Sequence, residues 1–245
     1  MSDVRIKCCG MFRPEDIQAV NAAMPDFCGF VVNVPASHRS VAPEQVLELR
    51  AELRGDIEAV GVFVDEDPAV MGRLVDDGGI DVVQLHGHED AAYIEALRAA
   101  LRNAEDKAIA QAFIVKDTSD IEAARESVAD MVLLDAGLGS GTTFDWQLIR
   151  DFDRPYFLAG GLTPENVAEA LDLTNAAYLD TSSGIETDGV KDPAKMQAFA
   201  EAVRAWDDEH PRLSFLEALH PEYHEEDEAE QEGDETKQLG DVSLN

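Results

Sequence analysis

Apolar and polar positions alternate in two different rhythms along the chain from residue 4 to about residue 206. Short apolar runs, rich in β-branched and aromatic residues, have the length of buried strands. The stretches between them have helical spacing, and several begin with proline in the first turn, as in PEDIQAVNAAM and PEQVLELRAEL. The strand-like runs are VRIKCC, FCGFVVN, IEAVGVFV, DVVQLHG, AIAQAFIV, DMVLLDAG, PYFLAGG and AAYLDTSSG.

Eight such strand–helix pairs imply parallel strands joined by right-handed crossovers. Eight is the number of strands that closes a (β/α)8 barrel, and about 200 residues is a compact example of one. A doubly wound open sheet is the alternative, but it usually has fewer strands, and no Gly-x-Gly-x-x-Gly follows the first strand here. We therefore expect an α/β protein with a single (β/α)8 TIM barrel over residues 1–206.

The character of the chain changes after Trp206. Residues 207–245 hold 14 acidic and two basic residues. Such a composition buries too little apolar surface to offset the entropy of ordering the chain. We expect this segment to be a disordered, acidic C-terminal tail.

The charge of the whole chain is strongly negative, with 51 Asp and Glu against 19 Lys and Arg and a formal net charge of -32. A polyanion repels nucleic acids and anionic membranes, so neither is expected as a partner. Either an acidic interaction protein or an enzyme adapted to molar salt would have this composition. The acidic residues are spread over the predicted helices, which favours the halophilic enzyme.

Apolar runs, the N-terminal segment and the cysteines together predict the cellular compartment of the protein. No run approaches the roughly 20 apolar residues that cross a bilayer, and the N-terminus lacks a charged-then-apolar signal segment. Three cysteines, an odd number lying in or beside apolar runs, fit a reducing environment. We expect a cytoplasmic protein, and the sequence leaves its oligomeric state open.

The first strand ends in two adjacent cysteines, in the sequence KCCG. Side chains alternate along a strand, so Cys8 faces the helices with Val4 and Ile6, while Cys9 faces the barrel axis with Lys7. The two thiols therefore cannot chelate one metal, and a disulfide between neighbours would be strained. We expect Cys8 to fill space and Cys9 to lie at the carboxyl-terminal mouth, where barrel enzymes place their chemistry.

Other polar residues share this parity at strand ends. They are Gln84 and His86 on the fourth strand, Asp135 on the sixth and Asp180 on the eighth. Strand ends are often polar simply because they meet loops, and for any single residue that explanation suffices. Four polar residues that all face the barrel axis at strand ends favour a functional site at this rim.

Two glycine-containing loops suggest a phosphate site. Gly160 and Gly161 follow the seventh strand, and Ser182, Ser183 and Gly184 follow the eighth. Barrels commonly bind phosphate with backbone N–H groups of these two loops. The glycine-rich loop GLGSGTTFDW at 137–146 could close over a ligand.

Arg39 and the HGH sequence at 86–88 are two further candidates. Arg39 lies in the long loop after the second strand, where its planar guanidinium could bind a carboxylate or a phosphate bidentately. The two histidines of HGH could ligate a metal, but no third ligand has a suitable spacing, so we predict no metal site.

Taken in order, these motifs identify a family. KCCG, GFVVNVPASHRSV, VVQLHGHE, LLDAGLGSGTTFDW, LAGGLTPENV and LDTSSGIETDGVKDPAKMQAF closely resemble phosphoribosylanthranilate isomerase of tryptophan biosynthesis over about residues 4–206. The resemblance implies a (β/α)8 barrel and an Amadori rearrangement without a cofactor. It also implies that the substrate is a small phosphorylated aminosugar, N-(5-phosphoribosyl)anthranilate.

The resemblance also implies roles for individual residues. The family pattern Lys-x-Cys-Gly makes Cys9 the general base, Asp135 matches the general acid, and Arg39 matches the arginine for the anthranilate carboxylate. Here Ser-His-Arg replaces the Ser-Pro-Arg of many members, so His38 is expected to loosen that loop. We expect Lys7 to lower the pKa of Cys9 below the free value of about 8.5. Gln84, His86 and Asp180 are expected to line the site, and the acidic tail has no counterpart in the family.

Other functions fit the sequence less well. Indole-glycerol-phosphate synthase needs catalytic lysines and glutamates at strand ends, and a ribulose-phosphate epimerase needs metal ligands. A non-catalytic acidic binding module would not need the cysteine, the aspartate, the arginine and both phosphate loops. Activity on a histidine-pathway aminoaldose is a further alternative, although relatives with that activity have an aspartate in place of Cys9.

Overall fold

A computed structural model describes residues 4–102, 107–135 and 146–210. Eight parallel strands form the barrel, and the first pairs with both the second and the eighth, which closes it. A ninth strand of two residues, Ser40–Val41, pairs with the end of the second. The predicted (β/α)8 barrel is thus confirmed. The strands are β1 (Arg5–Cys9), β2 (Phe27–Val32), β3 (Glu58–Phe63), β4 (Val82–Leu85), β5 (Ala108–Ile114), β6 (Met131–Asp135), β7 (Tyr156–Ala159) and β8 (Tyr178–Thr181).

Seven α-helices within the described residues surround the barrel. They are α1 (Pro14–Ala23), α2 (Pro43–Glu52), α3 (Pro68–Asp76), α4 (Ala91–Ala100), α5 (Thr118–Glu126), α6 (Val167–Leu173) and α7 (Pro193–Glu209). Between β6 and β7 the described residues contain a 3₁₀ helix, Trp146–Ile149, instead of the expected α-helix. Proline opens α1, α2, α3 and α7, where its missing N–H is not needed.

The start of α6 differs from the sequence-based expectation. The pattern PENVAEALDL predicts a helix from Pro164, but α6 begins at Val167. The Asn166 side chain accepts a hydrogen bond from the Thr163 backbone N–H at 2.8 Å and donates one to the Gly161 carbonyl at 2.9 Å. These bonds hold the segment before α6 in a turn, because short amide side chains compete with the helical backbone for partners.

Two separate apolar layers follow from the alternation of strand side chains. Cys8, Val83 and Leu134 belong to the large layer between the strands and the helices. The smaller layer fills the barrel axis and is formed by Phe27, Val60, Val82, Ala110, Leu133, Phe157 and Ala159. The parity predicted for β1, β4 and β6 is confirmed, so the polar residues of these strands point toward the axis.

The lower end of the barrel is closed by an ion-pair cluster. The Arg5 guanidinium lies 4.2 Å from the centre of the Phe27 ring and contacts Asp26 and Glu58 at 3.3 and 2.9 Å. Arg5 thus covers the axial apolar layer with its charge toward solvent. The polar residues at the opposite end of the strands are therefore the ones available to a ligand.

The last described helix passes the predicted domain boundary. Helix α7 continues to Glu209, three residues beyond the predicted boundary at 206, and the rest of the acidic tail, residues 211–245, lies outside the described residues. The predicted glycine-rich loop lies outside them too, except for Trp146. None of the helices in the described ranges is both long and apolar enough to span a bilayer.

Candidate active site

The carboxyl-terminal mouth of the barrel brings the predicted polar residues together. Cys9, Gln84, Asp135 and Asp180 stand at the ends of β1, β4, β6 and β8, and His86 follows β4 directly. Each strand ends at the same rim because all eight run parallel. The residues that the sequence places on the axial side of their strands therefore lie together at one rim of the barrel.

An ion pair lies just below this rim. Lys7 Nζ donates a hydrogen bond to Asp180 Oδ1 at 3.0 Å, and both side chains are buried. Burial alone would lower the pKa of Lys7, but the Asp180 carboxylate and the contact with Cys9 together raise it. Lys7 therefore stays protonated and places a permanent positive charge beside Cys9.

The Cys9 thiol does not have the lowered pKa that we expected from the sequence. Burial raises the pKa of Cys9, and the cations Lys7 and Lys191 only partly oppose it. The side chain is 8% exposed, so desolvation of the thiolate outweighs the attraction of the lysines. The neutral thiol is the resting form at neutral pH.

The neighbouring cysteines are further from reactivity than Cys9. Burial raises the pKa of Cys8 to about 12 and that of Cys28 well above its ordinary value. Cys8 packs entirely in the apolar layer between strands and helices. All three thiols are free, and only Cys9 faces the mouth.

Gln84, His86 and Asp135 form a chain of polar contacts across the rim. Gln84 Nε2 lies 3.3 Å from His86 Nδ1, and His86 Nε2 lies 3.6 Å from Asp135 Oδ2. If the amide donates to Nδ1, the imidazole proton is on Nε2 and faces Asp135. This arrangement fixes the imidazole through a buried glutamine and places it beside Asp135.

The second histidine of the HGH sequence points elsewhere. His88 is exposed and contacts Asp65, with Nδ1 3.0 Å from Oδ2. His86 instead faces Asp135. The two histidines therefore do not share a ligand position.

A cleft lies between the loops after β7 and β8, where the sequence predicts a phosphate site. Its free space is about 350 Å³, solvent at its opening included, and Asp135 and Asp180 stand at its edge. It is lined by Gly160, Gly161, Leu162, Ser182, Ser183 and Gly184 together with Ala159. All five predicted phosphate-binding residues thus meet in one place.

Backbone geometry explains the glycines of this cleft. Gly160 and Gly161 have φ of 93° and 69°, a region that side chains disfavour. A Cβ on Gly184 would lie 1.9 Å from the Leu162 carbonyl oxygen, so only glycine allows the two loops to approach. Loops of this kind bind anions in barrel proteins when their backbone N–H groups point at the ligand.

The hydroxyl of Ser182 has a structural use. Ser182 Oγ donates to the Cys9 carbonyl at 3.0 Å and also lies 3.3 Å from Lys191 Nζ. It ties the loop after β8 to the end of β1. Any contact of Ser182 with a phosphate must therefore come mainly from its backbone.

Arg39 reaches the mouth from the loop after β2, which includes the two-residue strand Ser40–Val41. Its Nε and Nη2 atoms each lie 2.6 Å from a different oxygen of Glu186. One edge of its guanidinium is thus occupied by the protein. His38, expected to loosen this loop, has its ring edge-to-face with Phe12 at 6.4 Å between centroids.

The sequence analysis missed Glu186 and Lys191. They are paired residues of a two-stranded hairpin, Glu186–Thr187 and Val190–Lys191, and both are buried. The available signal was the Asp-Gly dipeptide at 188–189, which favours a tight hairpin turn and here has positive φ at both positions.

Comparisons with known proteins agree with this geometry. The family model described as N-(5'-phosphoribosyl)anthranilate (PRA) isomerase matches residues 6–202. A protein of this name from Endomicrobium trichonymphae is 39% identical over 206 residues, which are 82% of this chain and 98% of the relative. Another from Acetivibrio thermocellus is 40% identical over 212 residues, with 82% and 96% covered.

Solved structures of the same enzyme resemble the barrel. The phosphoribosylanthranilate isomerase of Thermotoga maritima has a TM-score of 0.73 and 34% identity, covering 82% of this chain and 99% of that one. The enzyme of Thermus thermophilus has a TM-score of 0.72 and 32% identity with the same coverage. A third structure, of the isomerase with reduced 1-(o-carboxyphenylamino)-1-deoxyribulose 5-phosphate, has a TM-score of 0.71 and 33% identity, again covering 82% and 99%. The chain belongs to the N-(5'-phosphoribosyl)anthranilate isomerase family.

Proposed function

We propose that this protein converts N-(5'-phosphoribosyl)anthranilate into 1-(2-carboxyphenylamino)-1-deoxyribulose 5-phosphate, with Cys9 as general base and Asp135 as general acid. The observation that carries the assignment of roles is their placement. They end β1 and β6, which are separated by two strands in one direction around the barrel and four in the other. The two groups can therefore act on different sides of one sugar.

The substrate is oriented by its two anionic ends in this proposal. The phosphate occupies the cleft formed by the loops after β7 and β8, which is lined by Gly160, Gly161 and residues 182–184. The anthranilate carboxylate faces Arg39, whose charge lies near Cys9. The ribose then lies between the ends of β1 and β6.

Chemistry begins with opening of the ribose ring. Asp135 donates its proton to the ring oxygen, the bond from that oxygen to C1′ breaks, and the anthranilate nitrogen lone pair forms a protonated Schiff base. His86, held by Gln84, lies beside the Asp135 carboxyl. General acid catalysis of this kind typically contributes about 10²–10⁴-fold to the rate.

Proton removal from C2′ follows. The thiolate form of Cys9, a minor fraction of the unliganded enzyme at neutral pH, takes this proton, and the electron pair moves to form an enolamine, which tautomerises to the ketone. C1′ is reduced and C2′ is oxidised within one molecule, so the reaction balances without an external electron carrier. Lys7 favours the thiolate, and Asp180 keeps Lys7 charged and in place.

We also propose that the enzyme acts in the reducing cytoplasm. The proposed base must be a free thiol, and Cys8, Cys9 and Cys28 are all unpaired. A disulfide-forming compartment would put this thiol at risk of oxidation.

The test is turnover of substrate made in situ from anthranilate and phosphoribosyl pyrophosphate, followed by the fall in substrate fluorescence. Mass spectrometry should show a product of unchanged mass, because the reaction is an isomerisation. Release of free anthranilate would instead indicate hydrolysis. A folded protein that consumes no substrate would remove this proposal.

A further inference from the structure

Arg39 is held in a fixed orientation by the hairpin after β8. Its Nε and Nη2 atoms are both 2.6 Å from the Glu186 carboxylate, which is a bidentate pair on one edge of the planar guanidinium. Across residues 4–102, 107–135 and 146–210, no hydrogen-bond partner of Nη1 is found. Nη1 and the second N–H of Nη2 can therefore donate hydrogen bonds to a second carboxylate.

Lys191 contacts the Glu186 carboxylate of the Arg39–Glu186 pair and helps to hold it in place. Its Nζ lies 2.7 Å from Glu186 Oε1 and 2.9 Å from the Ser182 carbonyl, and the side chain is buried. Lys195 Nζ donates to the Glu186 carbonyl at 2.7 Å, which fixes the backbone. Arg39 and Lys191 contribute two positive charges against one from Glu186, so the trio keeps a net positive charge for an anion.

Space around Arg39 is also limited. A Cβ on Gly10 would lie 2.5 Å from Arg39 Cδ, and Gly10 has φ of 82°. The arginine stem thus lies directly over the backbone that follows Cys9. A guanidinium restrained on two sides loses little further freedom when a ligand binds.

We infer that Glu186, supported by Lys191, is a positioning residue that aims the free edge of Arg39 at the ortho-carboxylate of the arylamine substrate. The hairpin Glu186–Lys191 thereby sets the preference of the enzyme for a carboxylated ring over an uncarboxylated one. This inference rests on the proposed function, because it needs the anthranilate carboxylate at Arg39. It assigns a role to two residues that do not themselves contact the reacting atoms.

The experiment compares two substrates with wild type and Glu186→Gln. One is N-(5'-phosphoribosyl)anthranilate, and the other is the phosphoribosyl derivative of aniline, which lacks the carboxylate. The glutamine keeps the shape but loses the charged pair, so Arg39 is no longer fixed. We expect the ratio of kcat/KM for the carboxylated over the uncarboxylated substrate to fall about 10–100-fold, mostly through KM, since hydrogen bonds to charged groups have this effect.

A matched control is Glu58→Gln, which removes an ion pair of 2.9 Å with Arg5 at the opposite end of the barrel. The ratio of kcat/KM for the carboxylated over the uncarboxylated substrate should be the same in Glu58→Gln as in wild type. Should Glu186→Gln fail to fold, Glu186→Asp keeps the charge but shortens the reach, and the ratio should again fall. An equal loss with both substrates in a folded variant would overturn the inference. A wild type inactive on both substrates would instead contradict the proposed function.

Discussion

Adjacent residues in this protein have opposite environments, and Cys8 and Cys9 show it most clearly. Cys8 is fully buried among apolar side chains outside the barrel, while Cys9 faces the mouth near Lys7 and Lys191. This difference follows from strand alternation alone and was predictable from the sequence. The pKa of Cys9 was not, because it depends on how completely the folded chain removes water from the thiol.

The pKa of Cys9 can be measured directly. We expect the absorbance of its thiolate near 240 nm, taken as the difference between wild type and Cys9→Ser, to rise with a midpoint above the ordinary value of about 8.5. Burial raises the pKa of this thiol in the unliganded enzyme, so the neutral form persists to higher pH. A midpoint below 8.5 would show that the lysines dominate, as the sequence alone suggested.

Secondary structure elements were largely predictable where the apolar and polar positions follow one clear period. All eight barrel strands coincide with apolar runs, because strands buried on both faces must be apolar nearly throughout. The hairpin Glu186–Lys191 was missed because its importance depends on Arg39, which is 147 residues earlier in the chain. The Asp-Gly dipeptide at 188–189 signals the turn itself, but no local pattern signals the contact with Arg39.

The two loops that line the proposed phosphate cleft depend on one glycine. Gly184→Ala would place a Cβ 1.9 Å from the Leu162 carbonyl oxygen, so the loops must separate. We expect a loss of about 1–3 kcal/mol in the free energy of unfolding, typical of overpacking, and an increase in KM of at least about 10-fold. Chemical denaturation and steady-state kinetics measure the two effects.

Gly55→Ala is the matched control for this variant. A Cβ on Gly55 would have no neighbouring atom within 4 Å. The same substitution there should therefore change the free energy of unfolding by less than about 0.5 kcal/mol. Normal phosphate-substrate affinity in Gly184→Ala would show that the close approach of the loops is not needed for binding.

At the scale of the whole molecule, charge is the dominant property. A net charge of -32 on 245 residues destabilises the compact state through self-repulsion in dilute buffer. Screening over about 3 Å in 1 M salt removes most of this repulsion. The halophilic interpretation of the composition stays a prediction, and it concerns the surface and not the barrel core.

We therefore expect stability to rise steeply with KCl. The midpoint of thermal unfolding, followed by circular dichroism, should increase between dilute buffer and about 2 M KCl, where screening is essentially complete. The increase in KCl should exceed the increase in sucrose at matched water activity, because sucrose stabilises only by its exclusion from the protein surface and does not screen charge. Full stability at low ionic strength would contradict the adaptation to salt.

The central claim is that Cys9, and not its neighbour, is the base of an isomerase. The most direct test is turnover of N-(5'-phosphoribosyl)anthranilate by wild type, Cys9→Ser and Cys8→Ala side by side in concentrated KCl. We predict that Cys9→Ser loses at least about 100-fold in kcat, while Cys8→Ala keeps wild-type kcat with only a small loss of stability. An active Cys9→Ser, or a folded but inactive Cys8→Ala, would contradict the account.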